Sequence, residues 1–160
     1  MKHSGTLLTP RTPDEVFDLL TNPERFAALL PDYESTTMQD ATHFSLRIVI
    51  TFGEMSGHAE LAMELAEAER PALVSYRGKG VVAGSALNLV LQFHMASTDA
   101  WTEINWQGEF SLEGGLAFML AGVIESMGRQ HFERMAERLR DTLNPVEPAS
   151  DAVPAPAAGV

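Results

Sequence analysis

The pattern of apolar and polar positions separates a long period-2 region from two regions of helical period. Across residues 42–110 apolar side chains alternate with polar ones, as a sheet with one dry and one wet face requires. Phe44, Leu46, Ile48, Ile50 and Phe52 alternate with Ser45, Arg47, Val49 and Thr51, and Ala59, Leu61, Met63 and Leu65 alternate with Glu60, Ala62 and Glu64. Val74, Tyr76 and Gly78 follow Arg70-Pro71, and the series continues through residues 87–95 and 104–110. Breaks at 53–57, 80–84 and 97–99 predict five antiparallel, meandering strands. Ahead of them Lys2–Thr9 reads as a short strand ending at Pro10. Thr12-Pro13-Asp14-Glu15 is a capping box that opens a helix burying Val16, Phe17, Leu19 and Leu20. Asn22-Pro23-Glu24 caps a second short helix carrying Phe26, Leu29 and Leu30, which Pro31 stops.

After Gly114-Gly115 the period returns to 3.6 and holds for about eight turns, to Asn144-Pro145. Spacing residues by about 100° puts Ala117, Ala121, Ile124, Gly128, His131, Phe132, Met135 and Leu139 on one stripe. Its second half is large and apolar, with Glu133, Arg134, Glu137, Arg138 and Asp141 opposite, so it clamps onto a core. Its first half is small, which leaves space beneath the helix for something else to fill. The back of that half, Leu116, Met119, Leu120, Val123 and Met127, is also apolar and needs a cover: a loop, a second protomer or a membrane surface. The expected architecture is α+β: a strand, two short helices, five strands and a long closing helix over the dry face, in one domain at 1–144. Residues 145–160, with Pro148, Pro154 and Pro156 among small and polar residues, are expected to be disordered.

Charge and composition narrow the function. Acidic residues outnumber basic ones 22 to 11, and the net charge of −11 argues against nucleic-acid backbones as partners. Without cysteine there is no disulfide, thiol nucleophile or thiolate metal site. The start lacks the apolar core of a signal peptide and no apolar run reaches the ~20 residues of a membrane span, so a cytoplasmic protein is expected.

The order of elements, with certain short motifs, resembles the START-like, or helix-grip, superfamily and within it the CoxG-like family, named for a carbon monoxide dehydrogenase. The motifs are Asn22-Pro23-Glu24, Leu29-Leu30-Pro31-Asp32-Tyr33-Glu34-Ser35, Gly53-Glu54-Met55-Ser56-Gly57 and Arg70-Pro71. They continue with Tyr76-Arg77-Gly78-Lys79-Gly80, Ala83-Gly84-Ser85-Ala86 and Gly114-Gly115-Leu116-Ala117, and together span residues 13–143. The resemblance implies a cavity between the long helix and a curved sheet, holding a quinone or lipid-like molecule. It also implies a role in membrane recruitment or maturation of a molybdenum-containing dehydrogenase at the inner face of the cytoplasmic membrane. Two features depart from the family: the tail is short and not amphipathic, and Asp32 follows Pro31 where members usually have glycine.

The residues themselves offer little catalytic chemistry. His3, His43, His58, His94 and His131 lack metal-site spacings, and neither a His-Glu-x-x-His nor a Gly-x-Ser-x-Gly motif is present, so no metal and no cofactor are expected. The run 78–84 superficially matches a dinucleotide loop, but a period-2 segment follows it instead of a helix. A glycine-rich hairpin that lets the sheet bend fits better. The dry face itself remains: Ile50, Met63, Tyr76, Leu89 and Trp106, with Met119, Val123 and Met127 above them and Phe26, Leu30 and Tyr33 at the expected mouth. At any single position ordinary core packing is the commoner role. Methionine's adaptability and the small helix stripe favour a cavity whose inward polar groups are the Tyr76 hydroxyl and the Trp106 indole N–H. That set suits binding a lipophilic molecule. Two other classes remain open: an aromatase or cyclase using Tyr76 or Glu113 for proton transfer, and an assembly factor docking through Leu116, Leu120, Val123 and Met127.

Overall fold

A computed structural model of the chain describes residues 2–52, 54–82, 84–114, 119 and 121–144. The elements run β1 (Lys2–Thr9), α1 (Pro13–Leu20), α2 (Pro23–Ala27), β2 (Tyr33–Met38), β3 (His43–Phe52), β4 (Met55–Glu69), β5 (Leu73–Val82), β6 (Ser85–Thr98), β7 (Trp101–Glu113) and α3 (Ala121–Leu143). Both short helices start where their caps require. The Thr12 hydroxyl accepts the Glu15 amide at 3.2 Å while the Glu15 carboxylate accepts the Thr12 amide at 2.9 Å, and Asn22 accepts the amides of Glu24 and Arg25.

The strands form a single antiparallel sheet ordered β1-β7-β6-β5-β4-β3-β2. It has seven strands, against the six expected from the alternation. The extra one is β2, Tyr-Glu-Ser-Thr-Thr-Met, an edge strand with no residue fully buried, so its sequence carries no apolar alternation to read. Register shifts at Tyr33/Ser35 and at Leu65/Glu67 mark bulges, which bend and twist the strands they interrupt.

Register arranges the inward side chains in rows across the sheet. One row runs Leu46, Leu61, Gly80, Leu87, Leu112, and the next Phe44, Met63, Gly78, Leu89, Phe110. A third runs Leu65, Tyr76, Leu91, Gly108, His3, and a fourth Val74, Phe93, Trp106, Gly5. The last two lie toward α1, α2 and the C-terminal half of α3, which cover most of them: Val16, Leu20, Phe26 and Leu139 are buried there.

The end of α3 is tied down by polar contacts. Arg11 Nε donates to the Leu143 carbonyl at 3.0 Å, and the Thr9 hydroxyl donates to Asn144 Oδ1 at 2.7 Å. Arg138 donates to the carbonyls of Ala28 and Leu30 at 3.4 and 3.3 Å, bracing α3 against the end of α2. Gly114, at φ 126°, is described, but the rest of the expected opening of α3, Gly115, Leu116, Ala117 and Leu120 among it, and the expected disordered tail at 145–160 fall outside the described residues.

Candidate functional site

Between the middle of α3 and the sheet, mostly over its first two rows, lies a cavity of about 150 Å³. Its floor is built from Leu46, Ile48, Leu61, Val82, Leu87, Leu89, Leu91, Phe110 and Leu112, its roof from Met127, Gly128, His131, Phe132 and Met135, and its side from Leu30 and Pro31. It sits toward the hairpin end of the sheet, where β5 places Gly78 and Gly80 in the two central rows. The wall is almost wholly hydrocarbon: His131 is the one described lining residue with a polar side chain.

The candidate residues separate into three groups. Leu30, Leu89 and Met127 lie in the cavity wall. Phe26, Met63, Tyr76 and Trp106 are buried in closed core instead. Phe26 stacks on Tyr76 with ring centroids 3.9 Å apart and planes 8° from parallel. The Tyr76 hydroxyl donates to the Leu20 carbonyl at 2.6 Å, and burial pushes its pKa up, so it holds α1 onto the sheet and is not available for proton transfer. Met63 leans over Gly78, its sulfur 2.5 Å from where a Cβ would stand, and the Trp106 indole lies against Gly5 in the same way, Nε1 2.6 Å from that position. Tyr33 is half-buried on the edge strand, its hydroxyl accepting from Thr36 at 3.1 Å. Met119 and Val123 face outward, 80 % and 50 % exposed. The side chain of Ile50 lies outside the described set. Glu113, the alternative proton donor, is exposed at the end of β7.

The small stripe on α3 has a different use from the one its sequence implies. Any Cβ at Gly128 would overlap the Phe110 ring, so at this point the missing side chain admits an aromatic from the sheet. The void opens beside that contact, toward β3 to β6.

Sequence reasoning missed Leu46, Leu61, Leu87, Leu91 and Leu112 because period-2 alternation identifies a face but not the row that a helix covers. His131 was legible as a member of the inward stripe. It is half-buried, with Nε2 3.7 Å from Asp32 Oδ2. Asp32 occupies the left-handed region at φ 62°, which explains why glycine suits this position and why aspartate, which tolerates that region, can replace it. Among the described residues no group of three or more His, Asp or Glu side chains is placed to hold a metal ion. No helix there is long and apolar enough to cross a membrane.

An antiparallel sheet gripping one long helix, with two short helices after the first strand and a cavity between, is the architecture of the START-like superfamily. Similar solved structures include a conserved protein from Geobacillus kaustophilus, 12 % identical with a TM-score of 0.77, over 90 % of this chain and 95 % of the other. A START superfamily protein from Mycobacterium smegmatis is 9 % identical with a TM-score of 0.62, over 89 % and 97 %. The Zhui aromatase/cyclase from Streptomyces sp. R1128 is 14 % identical with a TM-score of 0.57, over 89 % and 95 %. The chain belongs to the carbon monoxide dehydrogenase CoxG family, whose pattern matches residues 5–144. Comparison with curated protein sequences gives no match.

Proposed function

We propose that this protein is a non-enzymatic carrier that takes a quinone or lipid-like molecule into the cavity under the middle of α3. Through that molecule it would support assembly or membrane recruitment of a molybdenum-containing dehydrogenase of the carbon monoxide type, in the cytoplasm and at the inner membrane face. The observation that carries this reading is the cavity wall, hydrocarbon throughout except for His131. An apolar lining with a sparse polar contact is what ligand recognition uses, whereas general acid–base catalysis needs a donor and an acceptor aimed at one reacting atom. The aromatase/cyclase likeness extends to the fold alone; of the two side chains that reading named, Tyr76 is committed to Leu20 and Glu113 is exposed at the end of β7, outside the cavity wall. Size constrains the ligand. A hydrocarbon-lined cavity of about 150 Å³ accommodates a benzene-sized ring. A ring or chain end would enter, and the remainder of a longer molecule would extend beyond the cavity.

The assembly-factor reading draws on a separate observation, the exposure of Met119 and Val123 on the outer side of α3. It loses Met127, which turns into the cavity. Denaturing solvent extraction of detergent-free protein, followed by mass spectrometry, distinguishes the two. The carrier reading expects one apolar compound class in near-stoichiometric amount. An empty extract from folded protein would shift the assignment to docking.

A further inference from the structure

His131 stands one helical turn after Met127, over a cavity that otherwise offers a ligand only hydrocarbon. Its neighbour Asp32 comes from a different element, the turn between α2 and β2, and that turn is held firmly. The Asp32 carbonyl accepts the Val49 amide at 2.9 Å, and the carbonyl of Leu30, two residues earlier, accepts from Arg138 on α3. Helix and turn are thus braced against each other through the backbone of the turn, which keeps residues 131 and 32 adjacent. At 3.7 Å their contact is longer than a hydrogen bond, and neither ring nitrogen of His131 has a hydrogen-bond partner among the described residues. Burial lowers the His131 pKa below its ordinary 6.5, Asp32 opposing and Arg134 adding to the effect, so the ring is neutral at pH 7. A neutral imidazole carries one N–H donor and one bare acceptor nitrogen. In the empty protein the half-buried ring reaches water, and a ligand that covers it must supply a hydrogen-bond partner in place of that water.

We infer that His131 is the polar anchor of the cavity, hydrogen-bonding the carbonyl or hydroxyl oxygen of an otherwise apolar, uncharged ligand, with the Asp32 carboxylate beside it. The assignment rests on the carrier reading and narrows it. A plain hydrocarbon that covers the ring nitrogens offers them no partner in place of water. A carboxylate meets the negative charge of Asp32 beside the anchor, so fatty acids are disfavoured relative to ketones, alcohols and quinone-type carbonyls. Arg134, on the same helix, is the cation next to this pair; it does not contribute to the cavity wall.

Three single-ring probes matched in size to the cavity test this: ethylbenzene, acetophenone and benzoate, titrated into the full chain by calorimetry or ligand-observed NMR. The quantity to read is the ratio of acetophenone to ethylbenzene affinity. That ratio should fall about fivefold in His131→Leu and in His131→Phe, the effect of losing one hydrogen bond, and recover in His131→Gln. Benzoate should bind the native protein weakest of the three and improve in Asp32→Asn. An unchanged ratio in the folded leucine and phenylalanine variants, with ethylbenzene still bound, would refute the anchor and leave the carrier reading standing. Failure of native protein to bind either neutral probe would refute both.

Discussion

Leu89→Trp should abolish ligand binding while the protein remains folded. Leu89 lies in the cavity floor between Gly78 and Phe110, half-buried because the space above it is unfilled. Enlarging a side chain in close-packed core forces strain of about 1–3 kcal/mol. Here the larger side chain enters a void of about 150 Å³, where its new dispersion contacts offset that strain. Affinity for ethylbenzene should drop by at least about tenfold, the loss expected when an apolar ligand forfeits most of its contact area. The melting temperature should stay within about 5 °C of the native value or rise. Calorimetric titration and a thermal melt of the same sample check both halves, and undiminished affinity would mean the ligand binds elsewhere. The corresponding change at Met63 would be uninformative, because that side chain is already wedged over Gly78 and a larger one would disrupt the fold.

Phe26→Ala should have the largest effect on stability and should act through the core, not the site. Phe26 is fully buried, stacked on Tyr76 and edge-on to Phe93 at 6.3 Å. Through Tyr76 it is linked to the Leu20 carbonyl, so one aromatic side chain joins α2, the sheet and the end of α1. Removing a buried phenyl ring costs about 3–5 kcal/mol, transfer and cavity terms together. For a domain of this size that is a fall of roughly 6–20 °C in melting temperature. A variant that melts like the native protein but no longer binds ligand would show that Phe26 belongs to the mouth of the cavity after all.

The contrast between these two residues shows how much the sequence could disclose. Elements with a strong local signal were legible: the capping box at Thr12, the Asn22 cap, and strands in which Phe44, Leu46, Met63 and Leu91 alternate with polar residues. Strand β2 was not, because an exposed edge strand rich in serine and threonine has no buried face to impose a pattern. Facing direction was legible as well; Tyr76 and Trp106 do point inward. Their row was not. Whether an inward residue meets packed core or empty space depends on register across five hairpin-linked strands and on where α3 crosses them, which are long-range quantities. Local alternation gives the same reading for Leu89 and Tyr76, although one lies under a cavity and the other under Phe26. The stripe of small residues implies space under the first half of the long helix; the void lies under the middle of α3, beside Gly128, which accommodates Phe110.

The central claim is that an apolar molecule occupies the space between α3 and the sheet. Its most direct test is methyl-detected NMR of the native chain titrated with ethylbenzene, reading intermolecular contacts from the probe to assigned methyl groups. The account predicts saturable contacts to Leu87, Leu89 and Met127 together, which only a molecule inside the cavity can touch at once. Contacts confined to Met119 and Val123 on the outer side of the helix, or none at saturating probe, would contradict it.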